Sequence, residues 1–195
     1  KKAARCFYAL SQGRADSKRY PAIDPLESYS KYLEYPEVRE YLDSRIEEGW
    51  VDRVYAGKTL VQRGKEANDQ INILGDDGVP IEYHERFWKS ELIDFVILQQ
   101  DAFDAIDANC PIERQKMMYE MVLDVCNRDF SFEGFEECAS FFKSLINLFR
   151  QMNYSEWKSQ KFEDYKKQIE KVLSEKESGE KAEKTLKEES NKESK

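Results

Sequence analysis

Residues 50–80 read WVDRVYAGKTLVQRGKEANDQINILGDDGVP, and they predict one long helix from Trp50 to about Ile73 followed by a hard stop. Gly75-Asp76-Asp77-Gly78-Val79-Pro80 combines two glycines, two acids and a proline, residues that break helices and form turns. Gly57 and Gly64 lie inside the helix, and each should weaken it by about 1 kcal/mol relative to alanine. A second helix is expected after the turn, from Ile81 to about Gln100. Further helices are expected from Pro111 to Cys126, Phe132 to Met152 and Ser155 to Leu173. On the N-terminal side, Pro36 opens a helix to about Glu48 that Gly49 ends, with Val38, Tyr41, Leu42 and Ile46 along one face. No run of β-branched residues alternates with a period of two. Short connections make neighbouring helices antiparallel. The fold class is therefore all-α, an antiparallel helical bundle with an irregular N-terminal loop segment.

Three regions follow: a loop over residues 1–33, a bundle over 34–173 and a charged tail over 174–195. In the loop, Pro21 and Pro25 hold Tyr20 and Asp24 extended, because the residue before a proline is pushed out of the helical region. In the tail, 13 of 22 residues are charged and only Ala182 and Leu186 are apolar. Such a segment cannot bury enough apolar surface to offset its ordering entropy, so disorder or a frayed helix is expected. The aromatic series Phe132, Phe135, Phe141, Phe142, Phe149, Tyr154 and Trp157 has helical spacing, which assigns it to the core rather than to a ligand groove.

Composition excludes several functions. The 195 residues carry 31 Lys or Arg and 39 Asp or Glu, a net charge of −8. An acidic chain with no basic block has no electrostatic footprint for nucleic acid or an anionic membrane surface. The longest apolar run, Leu92 to Leu98, is interrupted by Asp94 and is far short of the roughly 18–20 residues that span a bilayer. The first residues, Lys-Lys-Ala-Ala-Arg, lack both a signal peptide's apolar stretch and an initiator Met, so the chain reads as a piece of a longer one. Cys6, Cys110, Cys126 and Cys138 form no C-x-x-C and read as reduced thiols. His84 is the sole imidazole. It has no second histidine at zinc-protease spacing and reads as an ordinary helix-surface residue. No metal site and no catalytic residue emerges.

Ala56-Gly57-Lys58-Thr59 imitates the end of a phosphate-binding P-loop. The full pattern needs a glycine where Asp52 stands and a buried strand where a helix is expected, so the match is fortuitous.

Two other segments carry a resemblance. RYPAIDPLESYS, residues 19–30, resembles the loop of rotary ATPase catalytic subunits in which an aromatic before Pro-Ala stacks on the adenine of ATP. FVILQQDAFDAIDANCPI, residues 95–112, resembles the C-terminal segment of the A (alpha) subunit of V-type and A-type ATPases that forms the opposite wall of that pocket. Between them, INILGDDGVP stands where the F-type beta subunit has its acidic, rotor-facing turn. The resemblance covers about residues 5–130 in family order. It implies an adenine pocket of Tyr20, Phe103 and Asn109, and a rotor contact at Gly75, Asp76, Asp77 and Gly78.

On this resemblance, residues 1–33 are the edge of a nucleotide-binding domain and 34–173 the C-terminal helical domain of the catalytic subunit. The partners implied are non-catalytic B subunits and the central stalk, in a cytoplasmic sector peripheral to the membrane. Mg-ATP would be bound by the whole subunit, because the family's P-loop, magnesium acid and catalytic glutamate lie upstream and none occurs here. The isolated segment should therefore be inactive. Many relatives have Phe where Tyr20 stands, and some have an aromatic where Asn109 stands, which thins that wall. The competing expectation is a free-standing helical interaction module. It would have no reason to bring Tyr20 and Phe103 to one pocket.

Overall fold

A computed structural model describes residues 4–193, with side chains described as far as Glu177. The N-terminal segment is irregular. A two-residue antiparallel pair, β1 (Cys6–Phe7) against β2 (Tyr29–Ser30), closes a loop that holds one short helix, α1 (Gln12–Asp16). The expected division at residue 33 falls inside a 3-10 turn, Lys31–Glu34.

The bundle follows as α2 (Pro36–Arg45), α3 (Trp50–Leu74), α4 (Ile81–Ile93), α5 (Ala105–Ala108), α6 (Ile112–Asn127), α7 (Phe135–Asn153) and α8 (Gln160–Glu193). The long helix from Trp50 and its stop at Gly75 are as the sequence predicts. Helix α3 packs against α4 as an antiparallel hairpin, α4 also packs on α7, and α7 on α8. The helix expected to run on to Gln100 instead changes character. Regular α-helix ends at Ile93, and Asp94–Leu98 form a π-helical turn. Such turns insert one extra residue per turn, often at functional sites.

Leu92, Val122, Cys138, Phe142, Leu145, Phe149, Met152, Phe162 and Ile169 have no accessible surface and form the core between α4, α6, α7 and α8. Phe130, Phe132 and Phe141 pack around Phe142 with ring centroids 5.0–6.1 Å apart. Phe132, Phe141, Phe142, Phe149 and Trp157 of the aromatic series thus belong to the core or pack on it, with the centroid spacings that favour edge-on and tilted pairs, whereas Tyr154 lines a surface concavity.

One expectation needs correction. His84 is not a surface residue; it is only 4% exposed. Of the two states expected after Ser174, disorder or a frayed helix, the described residues continue as helix α8 to Glu193, and residues 194–195 lie outside the described residues. Lys and Glu are good helix formers and pair at i,i+4, as Lys171 and Glu175 do at 3.7 Å. The start of the tail is also held from outside. Lys176 reaches Glu137 at 2.7 Å and the face of Phe132 at 4.5 Å, and Glu177 accepts from Arg128 at 2.6 Å.

All four cysteines are free thiols. Cys126 and Cys138 are buried, and burial pushes both thiols up to about 12. Cys6 and Cys110 are partly exposed. A small aromatic disulfide reagent at pH 8 should therefore titrate Cys6 and Cys110 in the folded protein and Cys126 and Cys138 only on unfolding. Prompt reaction of all four would mean that α6 and α7 separate readily in the native state.

Candidate functional site

The π-helical turn positions the first candidate surface. Asp94, at its start, is 5% exposed and is paired by Arg14 and Arg19 from the N-terminal loop. Arg19 also reaches Glu91 at 2.7 Å, and its guanidinium lies 4.6 Å from the centre of the Phe95 ring. Buried charges demand such partners, since an uncompensated carboxylate in the interior is costly. This cluster ties the loop to α4 immediately before Tyr20. Backbone bonds complete the join: Gln100 N donates to Tyr20 O at 2.9 Å, across the cis Tyr20–Pro21 junction.

Beyond Gln100 the chain makes a tight loop held by its own acids. Asp101 N donates to Asp107 Oδ2 at 2.7 Å, and Phe103 N donates to Asp101 Oδ1 at 2.9 Å. Asp104 caps α5 by accepting from Ile106 N and Asp107 N. Burial raises the Asp107 carboxyl above its usual range, opposed by the Asp101 N–H that it accepts. The result is a stiff loop whose tip, Phe103, is fully exposed.

Tyr20 and Phe103 line one concavity of about 370 Å³, together with Phe95, Gln99, Gln100 and Asn153. Tyr20 is 55% exposed, so both rings have faces free for a planar ligand. Lys18 and Arg150 stand at the same concavity, with the Arg150 guanidinium 5.9 Å from the Phe95 ring centre. The concavity thus combines flat aromatic surface with two cations and with the carboxylates of Asp101 and Asp107, which also line it. Asn109 is not brought there. It follows α5, where its Nδ2 turns back to donate to Ala105 O at 2.8 Å. Sequence reasoning missed Phe95, Arg19 and Arg150, whose roles come from long-range pairing. The only local signal was Arg19 preceding the Tyr-Pro.

The second candidate surface is the turn between α3 and α4. Gly75 has φ 81°, a left-handed backbone that favours glycine. Asp76–Gly78 form one 3-10 turn, where the sequence predicts no regular structure; residues 75–78 and Pro80 are exposed and Val79 is half-buried. Ile73 and Leu74 beside it are also exposed, at 74% and 57%. The turn and these two apolar side chains form the tip of the α3–α4 hairpin. Gly57, Lys58 and Thr59 lie within α3, where Lys58 Nζ donates to Ser28 O at 2.9 Å; they form no phosphate loop.

The chain is 37% identical over 167 residues to the V-type ATP synthase alpha chain of Chlamydia caviae, covering 86% of this chain and 27% of that one. The likeness to the alpha chain of Chlamydia muridarum is 38% over 166 residues, covering 85% and 27%. The chain is a homologue of V-type ATP synthase alpha chains. It spans about a quarter of the length of these curated relatives. No family model matches it. Among solved structures, the ATP synthase subunit NeqB from Nanoarcheaum equitans aligns at 21% identity over 66% of this chain and 29% of its own, with a TM-score of 0.48, too loose a likeness to argue from. In this alpha-chain homologue, no group of His, Cys, Asp and Glu among the described residues could hold a metal ion. Nor, among them, is any helix long and apolar enough to cross a membrane.

Proposed function

We propose that the chain acts as the C-terminal helical part of the catalytic alpha (A) subunit of a rotary V/A-type ATP synthase or ATPase. Tyr20 and Phe103 form the walls of the adenine pocket, and Gly75, Asp76, Asp77 and Gly78 form the contact with the rotor. Asn109, whose side chain turns back onto α5, takes no part in that pocket. Mg-ATP is held mainly by groups elsewhere in the whole subunit, and hydrolysis or synthesis is carried out there. Non-catalytic B subunits and the central stalk are the partners, in a cytoplasmic sector peripheral to the membrane that drives ion transport.

One observation carries this reading: Tyr20 and Phe103, distant in sequence, open onto one concavity. A free-standing interaction module would not require that. The pocket's contribution is selection of the base. Stacking contributes about 1–3 kcal/mol per aromatic, whereas even a millimolar complex needs about 4 kcal/mol. The chain alone should thus bind ATP more weakly than millimolar and hydrolyse none. Calorimetric titration of the isolated chain giving a micromolar dissociation constant would sink the proposal. In the assembled ATPase, Tyr20→Ala or Phe103→Ala should raise the KM for ATP several-fold to about a hundredfold, with a smaller effect on kcat. Unchanged KM in both variants would remove the adenine pocket from these residues.

A further inference from the structure

Three elements meet at the lone imidazole. His84 lies in the first turns of α4, buried, with Nε2 3.0 Å from the backbone oxygen of Asp76 in the 3-10 turn. Its ring stacks on Phe135, the first residue of α7, with centroids 5.4 Å apart and planes 26° from parallel. Nδ1 is 4.0 Å from Asp76 Oδ1. A carbonyl oxygen only accepts, so Nε2 carries the proton in this bond.

The turn it touches has little stiffness of its own. Its internal backbone bonds are Gly75 N to Ile71 O at 2.8 Å and Gly78 N to Gly75 O at 3.1 Å. Two of its four residues are glycine, which has the largest conformational freedom to lose on ordering. A contact that transmits force must not flex under load, so something outside the turn has to brace it.

We infer that His84 is a positioning residue that braces the tip of the α3–α4 hairpin, linking the Asp76 carbonyl to the start of α7. Force on the turn then passes through the imidazole and Phe135 into the packed bundle instead of bending the glycines. This role rests on the rotor-contact reading of the turn, but the brace itself is measurable without the motor.

Two variants separate the ring from the bond. His84→Phe keeps an aromatic against Phe135 and loses the donor. His84→Gln loses the ring and can place an amide N–H where Nε2–H stands. Hydrogen exchange of the chain should show the amides of Gly75 and Gly78, the turn's two hydrogen-bonded backbone donors, exchanging about three- to tenfold faster in His84→Phe, as expected for one lost hydrogen bond. His84→Gln should stay close to wild type, and the amides of α6 and α8 should be unchanged in both. Equal acceleration in the two variants, or none in His84→Phe, would overturn the bracing bond. In the assembled ATPase, His84→Phe should lower ions pumped per ATP hydrolysed and His84→Gln should restore it. Loosened exchange with unaltered pumping would overturn the mechanical role. Should deletion of the whole turn also leave pumping unaltered, the rotor-contact reading itself would fall, while the exchange result would stand on its own.

Discussion

Gly64→Ala should destabilise the bundle by about 1–3 kcal/mol, even though alanine is the better helix former by about 1 kcal/mol. A Cβ on Gly64 would fall 2.0 Å from Ser90 Cβ, 2.5 Å from Ser90 Oγ and 3.1 Å from the backbone oxygen of Arg86. None of these atoms lies at the far end of a flexible side chain. The Ser90 Cβ is fixed to the α4 backbone, so relief requires α3 and α4 to move apart along their main contact. Gly57→Ala is the internal comparison. Its Cβ would meet the tip of the Tyr119 ring, 2.1 Å from Oη, and that side chain can move by giving up its 2.7 Å bond to Arg53 O. The loss at Gly57 should therefore be smaller. Ser90→Gly combined with Gly64→Ala should cost less than the two single losses summed, a coupling expected only of residues in direct contact. Urea midpoints with an unchanged slope would measure it. A stabilising Gly64→Ala would show that the hairpin is looser than this packing implies.

Those two glycines mark where sequence reading succeeds and where it stops. Their cost to α3 is a local property, legible from one chain segment. Their purpose, close approach to Ser90 and Tyr119, depends on residues of α4 and α6 that no local pattern specifies. The same division runs through the rest of the chain. The long segment that Gly75 ends yields its helix almost to the residue. At Asp94–Leu98 local pattern predicts plain helix and the structure has a π-helical turn; the partners of Asp94, Arg14 and Arg19, come from the other end of the sequence. His84 looked like a surface residue for a related reason: its partners, Asp76 and Phe135, lie on two other elements. Composition separates the residues after Ser174 as poor in apolar groups, and the Lys and Glu that make them so are also strong helix formers. Low apolar content allows either disorder or a frayed helix there, and propensity with i,i+4 pairing favours the helix that continues α8. For the candidate pocket, Tyr20 and Phe103 were legible by resemblance. The acids that stiffen the loop below Phe103 were not.

Deleting Asp76–Val79 should uncouple ATP hydrolysis from rotation in the assembled motor, whereas changing both Asp76 and Asp77 to Asn should leave rotation nearly intact. The contrast follows from what the tip presents. Its two carboxylates are exposed, where a pair with a partner charge is screened and contributes about 0–1 kcal/mol. Ile73 and Leu74 are also exposed at the tip, so its contact area is largely apolar and steric. Removing charge leaves that shape in place. Removing four residues eliminates the 3-10 turn, leaves His84 without the Asp76 carbonyl, and joins α3 to α4 across a gap that only a bent or frayed helix end could close. Single-molecule rotation at saturating ATP, set beside the hydrolysis rate, separates the outcomes: hydrolysis should continue in the deletion while stalling torque falls severalfold. If the double Asn variant instead lost torque as completely as the deletion, electrostatic pairing with the rotor would be the working contact. The bracing by His84 would then matter chiefly for where it holds the Asp76 and Asp77 carboxylates.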